Sequence, residues 1–252
     1  MIHAEIFRQA DGKIVGFVLR GHNEIGNRGH GYNIHCAKVS VLSQSAFLAV
    51  INYLNRAVSA ENHEHGGLGI RLKDAPDDLT EAVFQTMLTG LRAVENAAPD
   101  AIEIKLIETN AAAESDLQRK IANMKPSKPE VLPRLNVDEC RIRAEIFRDG
   151  NENILGFSVR ERKGKTVSEF EIYRAGVWSQ VKAAFSCIKD FLKRDLEFKS
   201  GSRRLDMKLK TAPDNSTEAV FQTMLIGLLE IEKLAPQIVN VTEKIFLGGE
   251  TK

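Results

Sequence analysis

The sequence predicts an α+β fold: a two-layer unit, a small mainly antiparallel sheet with two helices in the order β-β-α-β-α-β, repeated twice in one chain. Three observations predict it. The nine-residue string TEAVFQTML occurs at residues 80–88 and again at 217–225. Shorter strings keep step around it: IxAEIFR at 2–8 and 142–148, GF at 16–17 and 156–157, APD at 75–77 and 212–214. Self-similarity at near-constant spacing marks one structural unit used twice. Within each copy, apolar residues alternate at period two in some stretches and recur every three or four residues in others.

The elements follow in order. Ile2, Ala4 and Ile6 alternate with His3, Glu5 and Phe7, as in a strand. Asp11-Gly12 supplies a hairpin turn before the apolar run 14–19. From 37 to about 58, Val39, Leu42, Ala46, Ala49, Val50, Tyr53 and Leu54 recur at helical spacing, which predicts one long helix with a broad buried face. Leu68, Ile70 and Leu72 alternate again, matched by Leu205, Met207 and Leu209. A second helix follows Pro76, with a capping-box pattern at Asp78 and Glu81 that Asn215 and Glu218 repeat; Leu79, Val83, Met87, Leu91 and Val94 form its apolar stripe. The repeated string therefore falls on a packing helix, and its retention reads as core or interface geometry rather than chemistry. Ile102, Ile104 and Leu106 close the unit as a strand.

These elements divide the chain into a first unit at 1–108, a linker at 109–140 and a second unit at 141–252. The linker holds a short helical stretch, 111–124, and then KPSKPEVLP, whose three prolines in nine residues favour an extended connector.

Across 252 residues, 35 basic side chains face 34 acidic ones, which excludes a generic polyanion binder. The balance is uneven. Residues 1–110 carry 10 basic and 13 acidic groups, net −3, and residues 141–252 carry 20 and 16, net +4. An anionic partner for the second half is one reading of that asymmetry, and a solvated face is the other. The start, MIHAEIFRQADGK, alternates and is charged, unlike a signal peptide, and no run approaches the ~20 apolar residues of a membrane span. Cysteines 36, 140 and 187 are odd in number and scattered, which argues against a disulfide framework and for thiols in a reducing cytosol. The expectation is a cytoplasmic protein with no membrane partner.

The copies differ most between residues 20 and 45. The first reads GHNEIGNRGHGYNIHCAKVSVLSQS, and the second has RERKGKTVSEFEIYRAGVWSQVKA, with no His or Cys. Cys36 lies at the predicted start of the long helix, where unpaired N–H groups and the dipole favour thiolate, the nucleophilic form. Backbone N–H groups following it are placed to stabilise an oxyanion. His22 follows Gly21 at a strand end, and the intervening Gly26, Gly29 and Gly31 allow the segment to fold back and bring imidazole to thiol. A thiol at a helix start is otherwise a small buried hydrophobe. Alignment of the copies places Arg162 opposite His22, Arg174 opposite Cys36 and Trp178 opposite Ser40. The framework is shared while the reactive groups are not.

Gly21-His22, the glycine-containing loop and Cys36-Ala37-x-x-Ser40 at a helix start resemble the ribosomal-processing cysteine protease (Prp) family, as do the IFR opening strand and the helix containing QTML. The resemblance covers 1–108, with 141–246 as a decayed copy. Members are normally a single unit of this half-length, form homodimers, and cleave the N-terminal extension from a large-subunit ribosomal protein. The resemblance thus implies His22 as general base, Cys36 as nucleophile, Gly21, Asn33, Ala37 and Ser40 in support, a peptide substrate and no cofactor. It also implies a single-chain pseudodimer whose second half replaces the partner subunit. Two departures stand out. Asn33 occupies the place of the family's acidic residue, and an amide orients an imidazole without supplying charge. The loop between His22 and Cys36 is also about two residues longer than the family pattern.

All six histidines (3, 22, 30, 35, 63 and 65) lie in the first half. His63-x-His65 with His30 or His35 imitates a metal cluster but lacks CxxC or HExxH spacing, so no metal is expected. His35, beside the thiol, competes with His22 for the role of base. In the second half Arg160, Arg162, Lys163, Lys165 and Arg174 surround the lost site, and Lys193-Arg194 and Arg203-Arg204 add basic pairs, a surface for ribosome or RNA contact or a solvated face. A rival to the protease is a non-enzymatic, duplicated module that binds a ribosomal or RNA partner.

Overall fold

The computed structural model describes residues 1–22, 33–63, 67–123, 140–164 and 168–245. The first unit contains β1 (Ile2–Arg8), β2 (Ile14–Arg20), α1 (Ile34–Leu48), β3 (Val58–His63), β4 (Gly67–Leu72), α2 (Asp78–Ala97) and β5 (Ile102–Glu108). After α3 (Ala111–Ala122) the second unit repeats the order as β6 (Ile142–Arg148), β7 (Ile154–Glu161), α4 (Ser168–Ser186), β8 (Leu196–Gly201), β9 (Arg204–Leu209), α5 (Asn215–Leu234) and β10 (Val239–Ile245). The strand orders are β3-β4-β2-β1-β5 and β8-β9-β7-β6-β10, one topology used twice. Among the described residues, the β1–β5 and β6–β10 pairs are parallel and the others antiparallel. The α+β architecture and its mainly antiparallel sheet are as expected from the alternation.

Each unit has one strand more than the periodicity indicates. The long helix stops short of residue 58: α1 passes into a π-helical turn at Ala49–Tyr53, and Asn55 then takes a left-handed φ of 50°. Lys193 does the same at φ 53° after the π turn Cys187–Phe191. A residue in that conformation ends a helix by freeing the next amide from the helical register. The freed chain forms β3, where Val58 and Ala60 pack against the core at the sheet edge. A helical reading absorbs Val58 because it continues the three-and-four spacing.

The caps of the string-bearing helices also lie one residue earlier than expected. Asp77 and Asp214, rather than Asp78 and Asn215, cap α2 and α5, each exchanging hydrogen bonds with Thr80 or Thr217. Glu81 and Glu218 reach elsewhere: their Oε2 atoms accept the Ile14 and Ile154 amides at 2.7 and 2.8 Å. Both ties follow a register shift in the first hairpin of their unit, which leaves those amides needing a partner. The repeated string is thus framework, as its placement on a packing helix implied.

The helices α1 and α2 cover the inner face of the first sheet, α4 and α5 that of the second, and the four pack together in one apolar core shared by both units. The contact has a pseudo-twofold pattern. Gly90 on α2 lies against Leu42 of its own unit and Ala183 of the other; Gly227 on α5 lies against Gln180 of its own unit and Ser45 of the other. Those are aligned positions, so each unit offers the other the same surface. This explains the composition of the helix at Ile34–Tyr53. By length and apolarity it is sufficient to cross a membrane, contrary to the reading of the sequence, but it packs against α2, α4 and α5.

The linker is not all connector. Leu117 and Ile121 of α3 are buried with Phe7, Val15 and Val18 on the outer face of the first sheet. Lys120 binds Glu5 at 2.7 Å, securing that contact. The proline-rich stretch lies outside the described residues.

Candidate active site

The site forms where β2 ends beside the start of α1. Gly21 has φ +87°, and a Cβ there would lie 2.7 Å from the Met1 carbonyl oxygen, so the close turn out of β2 needs glycine. The Met1 amino nitrogen donates to the His22 carbonyl at 2.9 Å, fastening the backbone of His22 to the start of β1.

Asn33 is the N-cap of α1. Its backbone is extended, and its Oδ1 accepts the His35 amide at 2.8 Å and the Cys36 amide at 3.3 Å. The helix therefore begins at Ile34, three residues before the expected start, and Cys36 sits inside its first turn. The dipole argument survives this shift, because the field is strongest over that turn. The oxyanion argument changes. The Cys36 amide serves Asn33 Oδ1, and the Ala37 amide donates to the Asn33 carbonyl at 3.1 Å, so donors following the thiol are already engaged.

Cys36 Sγ lies 3.6 Å from His22 Nδ1. At that separation the S–H of a neutral pair can donate to Nδ1, and an imidazolium can donate to a thiolate. His22 is exposed, and Cys36 is half-buried against the core.

The other expected members are placed as follows. Ser40, one turn beyond Cys36, is exposed, and its carbonyl accepts the Ser43 hydroxyl at 3.2 Å. Ala37 is half-buried beside the cap. His35 Nδ1 is buried with no partner among the described residues. Burial pulls its pKa below the ordinary histidine value, and the Lys38 charge adds to that effect. The loop glycines 26, 29 and 31, together with His30 and Lys165, lie outside the described residues, as do His65 and the side chain of His63. Among the described residues no group of His, Cys, Asp and Glu could hold a metal.

The aligned position in the second unit is closed by an ion-pair cluster. Arg174 Nε donates to Glu161 Oε2 at 2.8 Å, and Trp178 Nε1 donates to the same oxygen at 3.0 Å. Arg203 approaches Oε1 at 3.7 Å, and the Glu161 side chain is only 2% exposed. Arg162 continues the chain beyond β7, its amide donating to the Arg141 carbonyl at 2.8 Å. Glu161 was not singled out in the sequence. The available signal was an acid at the strand end within the altered segment that also holds Arg174.

Cys187 is buried against α2 of the other unit, and burial pushes its thiol pKa up to about 12. Cys140 donates to the Ile142 carbonyl at 3.3 Å, and burial raises its pKa as well.

Residues 1–103 match the family model described as cysteine protease Prp. The ribosomal processing cysteine protease Prp of Staphylococcus aureus is 28% identical over 105 residues, spanning 41% of this chain and 97% of the relative. Among solved structures, the S. aureus ribosomal processing protease Prp with a covalently linked product peptide aligns at 26% identity and a TM-score of 0.38, covering 42% of this chain and 99% of that one. SMU.848 from Streptococcus mutans aligns at 26% identity and a TM-score of 0.37, covering 43% and 96%. The family resemblance is thus matched over the first unit, and the S. aureus relative is named a ribosomal processing cysteine protease.

Proposed function

We propose that the chain is a cytosolic cysteine endopeptidase that removes the N-terminal extension of a large-subunit ribosomal protein, with one catalytic unit and a second unit in place of a partner subunit. The observation that carries this reading is the approach of Cys36 Sγ to His22 Nδ1, 3.6 Å apart at the head of α1. The family match over residues 1–103 supplies the substrate class.

On this reading His22 accepts the Cys36 proton, and the thiolate attacks the scissile carbonyl, giving a tetrahedral oxyanion. Collapse breaks the C–N bond, and the imidazolium returns the proton to the leaving amine. His22 then takes a proton from water, whose oxygen attacks the thioester and releases the acid and the free thiol. For the Cys36 amide to hold the oxyanion, Asn33 Oδ1 must yield it, and at 3.3 Å that is the longer of the two cap bonds.

The pseudo-twofold helix contact supports the second unit's role. It gives α1 and α2 the apolar cover that a second copy would give in a homodimer. The Glu161–Arg174–Trp178 cluster supports a unit kept for packing rather than cleavage.

The test is mass spectrometry of the ribosomal protein's N-terminus in cells carrying wild type, Cys36→Ala or His22→Ala. The expected outcome is a mature terminus with wild type and a retained extension with either variant. Identical termini in all three remove the protease reading and leave the binding module.

A further inference from the structure

We infer that the outer face of the second sheet binds double-stranded RNA through its phosphates. Arg143, Arg160 and Arg204 stand side by side across three adjacent strands, Arg143 paired with Arg160 and Arg160 with Arg204. Their inward neighbours Ala144, Val159 and Leu205 belong to the core, so all three arginines face outward, and all three are exposed. Neighbouring strands lie about 4.8 Å apart, so the row spans roughly 10 Å. Like charges directly opposite one another in a sheet are unfavourable. Among the described residues the carboxylate paired with the row is Asp206, which binds Arg204 and stands 3.8 Å from Arg160 Nε. The nearby Glu145 is already taken by Lys244 at 2.6 Å. Three guanidiniums against one carboxylate leave room for anionic oxygens.

The first unit shows what this face is not. Its aligned row is His3, Arg20 and Gly67, with one arginine. Its outer face is apolar at Phe7, Val15 and Val18 and is covered by α3. In the second unit Phe147 and Leu155 keep the places of Phe7 and Val15, but Ser158 stands where Val18 does and donates to Asp206 at 2.7 Å, which puts a polar pair in the middle of the face. The arginine row therefore points to an anionic occupant. Guanidinium groups match phosphate oxygens in a two-pronged geometry, which favours nucleic acid over an acidic protein. The row itself carries no aromatic side chain on which unpaired bases would stack; Phe147, on the same face, lies four residues along β6 from Arg143. A sheet face does not enter the deep, narrow major groove of an A-form duplex, which suits one held by its backbone. This inference does not rest on the protease reading, and its test reads binding alone.

The experiment is fluorescence anisotropy of a labelled 20-base-pair RNA duplex with the full chain, titrated between about 50 and 200 mM salt. The expected log–log salt slope is about −3, one for each arginine. Replacing all three arginines (Arg143→Gln, Arg160→Gln, Arg204→Gln) lowers affinity at least about tenfold and flattens the slope, and Arg160→Gln alone lowers it about threefold. A charge-matched control in the first unit (Lys73→Gln, Arg92→Gln, Lys105→Gln) changes it less than about twofold. Absence of duplex binding at about 50 mM salt, equal loss in both triple variants, or tighter binding of a labelled oligoglutamate or single-stranded RNA than of the duplex overturns the inference.

Discussion

Arg174 donates to Glu161 at 2.8 Å in the place that Cys36 holds in the first unit, so one scaffold position carries an ion pair in one copy and a thiol in the other. The exchange has a physical logic. The Glu161 carboxylate at the end of β7 is nearly fully buried and needs cationic partners, which Arg174 and Arg203 supply from two other elements. The second unit thereby ties β7 to α4 with an ion pair, where the first brings His22 beside Cys36.

Glu161→Gln should lower stability by about 3 kcal/mol, because two arginines lose a buried counter-charge, while Trp178 keeps an amide oxygen to which it can donate. Urea unfolding checks this through the midpoint. Cleavage by the first unit should persist in the folded fraction, since Glu161 belongs to the other unit.

The three thiols should separate cleanly under alkylation. Cys187, with a pKa of about 12, has a thiolate fraction near 10⁻⁵ at pH 7 and about 10⁻³ at pH 9. Cys140 is also raised by burial. Cys36 sits over a helix N-terminus beside an imidazole. Peptide mapping after brief iodoacetamide treatment at pH 7 should therefore find the label on Cys36, with Cys187 modified only after denaturation. His22→Ala should slow the labelling of Cys36.

Much of this was legible in the sequence because it is local or repeated. The alternation of Ile2, Ala4 and Ile6 and the stripe from Leu79 to Val94 fixed the layers, and the copies' divergence around Cys36 pointed to the site. What escaped depends on tertiary geometry. The end of α1 is decided by the left-handed turn at Asn55; asparagine after Leu54 is a stop signal, but the spacing of Val58 carries the helical reading past it and leaves the rest of β3 unassigned. The cap at Asp77 was displaced to Asp78 because Glu81 imitates a capping box while it binds Ile14, 67 residues away. Glu161 gave no periodic or motif signal; its role exists only once Arg174 and Arg203 converge.

Asn33 has a structural duty at the cap that is separable from any duty toward the ring. Asn33→Ala should cost about 1 kcal/mol through loss of the cap to the His35 and Cys36 amides. Asn33→Asp should retain the cap and add a charge favourable to the helix start. Thermal unfolding of the two variants against wild type checks the order: alanine lowest, aspartate at or above the parent.

The GF pairs at 16–17 and 156–157 recur because the neighbouring strand leaves no space for a side chain. A Cβ on Gly16 would lie 2.2 Å from the Ile70 carbonyl oxygen and 3.0 Å from the Arg71 Cα; on Gly156 it would meet the Met207 oxygen at 2.1 Å and the Lys208 Cα at 2.8 Å. These are backbone atoms held in the β2–β4 and β7–β9 ladders, so neither can move aside as a flexible side chain would. Gly16→Ala and Gly156→Ala should each destabilise the chain by about 3 kcal/mol, at the upper end of overpacking effects, despite the entropy that alanine saves in the unfolded state. The two variants should also differ in reach. Gly16 lies in the strand that leads to His22, so its substitution should reduce peptide cleavage in the protein that remains folded. Gly156 lies in the other unit, and its substitution should reduce the folded fraction while leaving cleavage per folded molecule near the parent value. Unfolding curves with active-site titration of the Cys36 thiol separate the two effects.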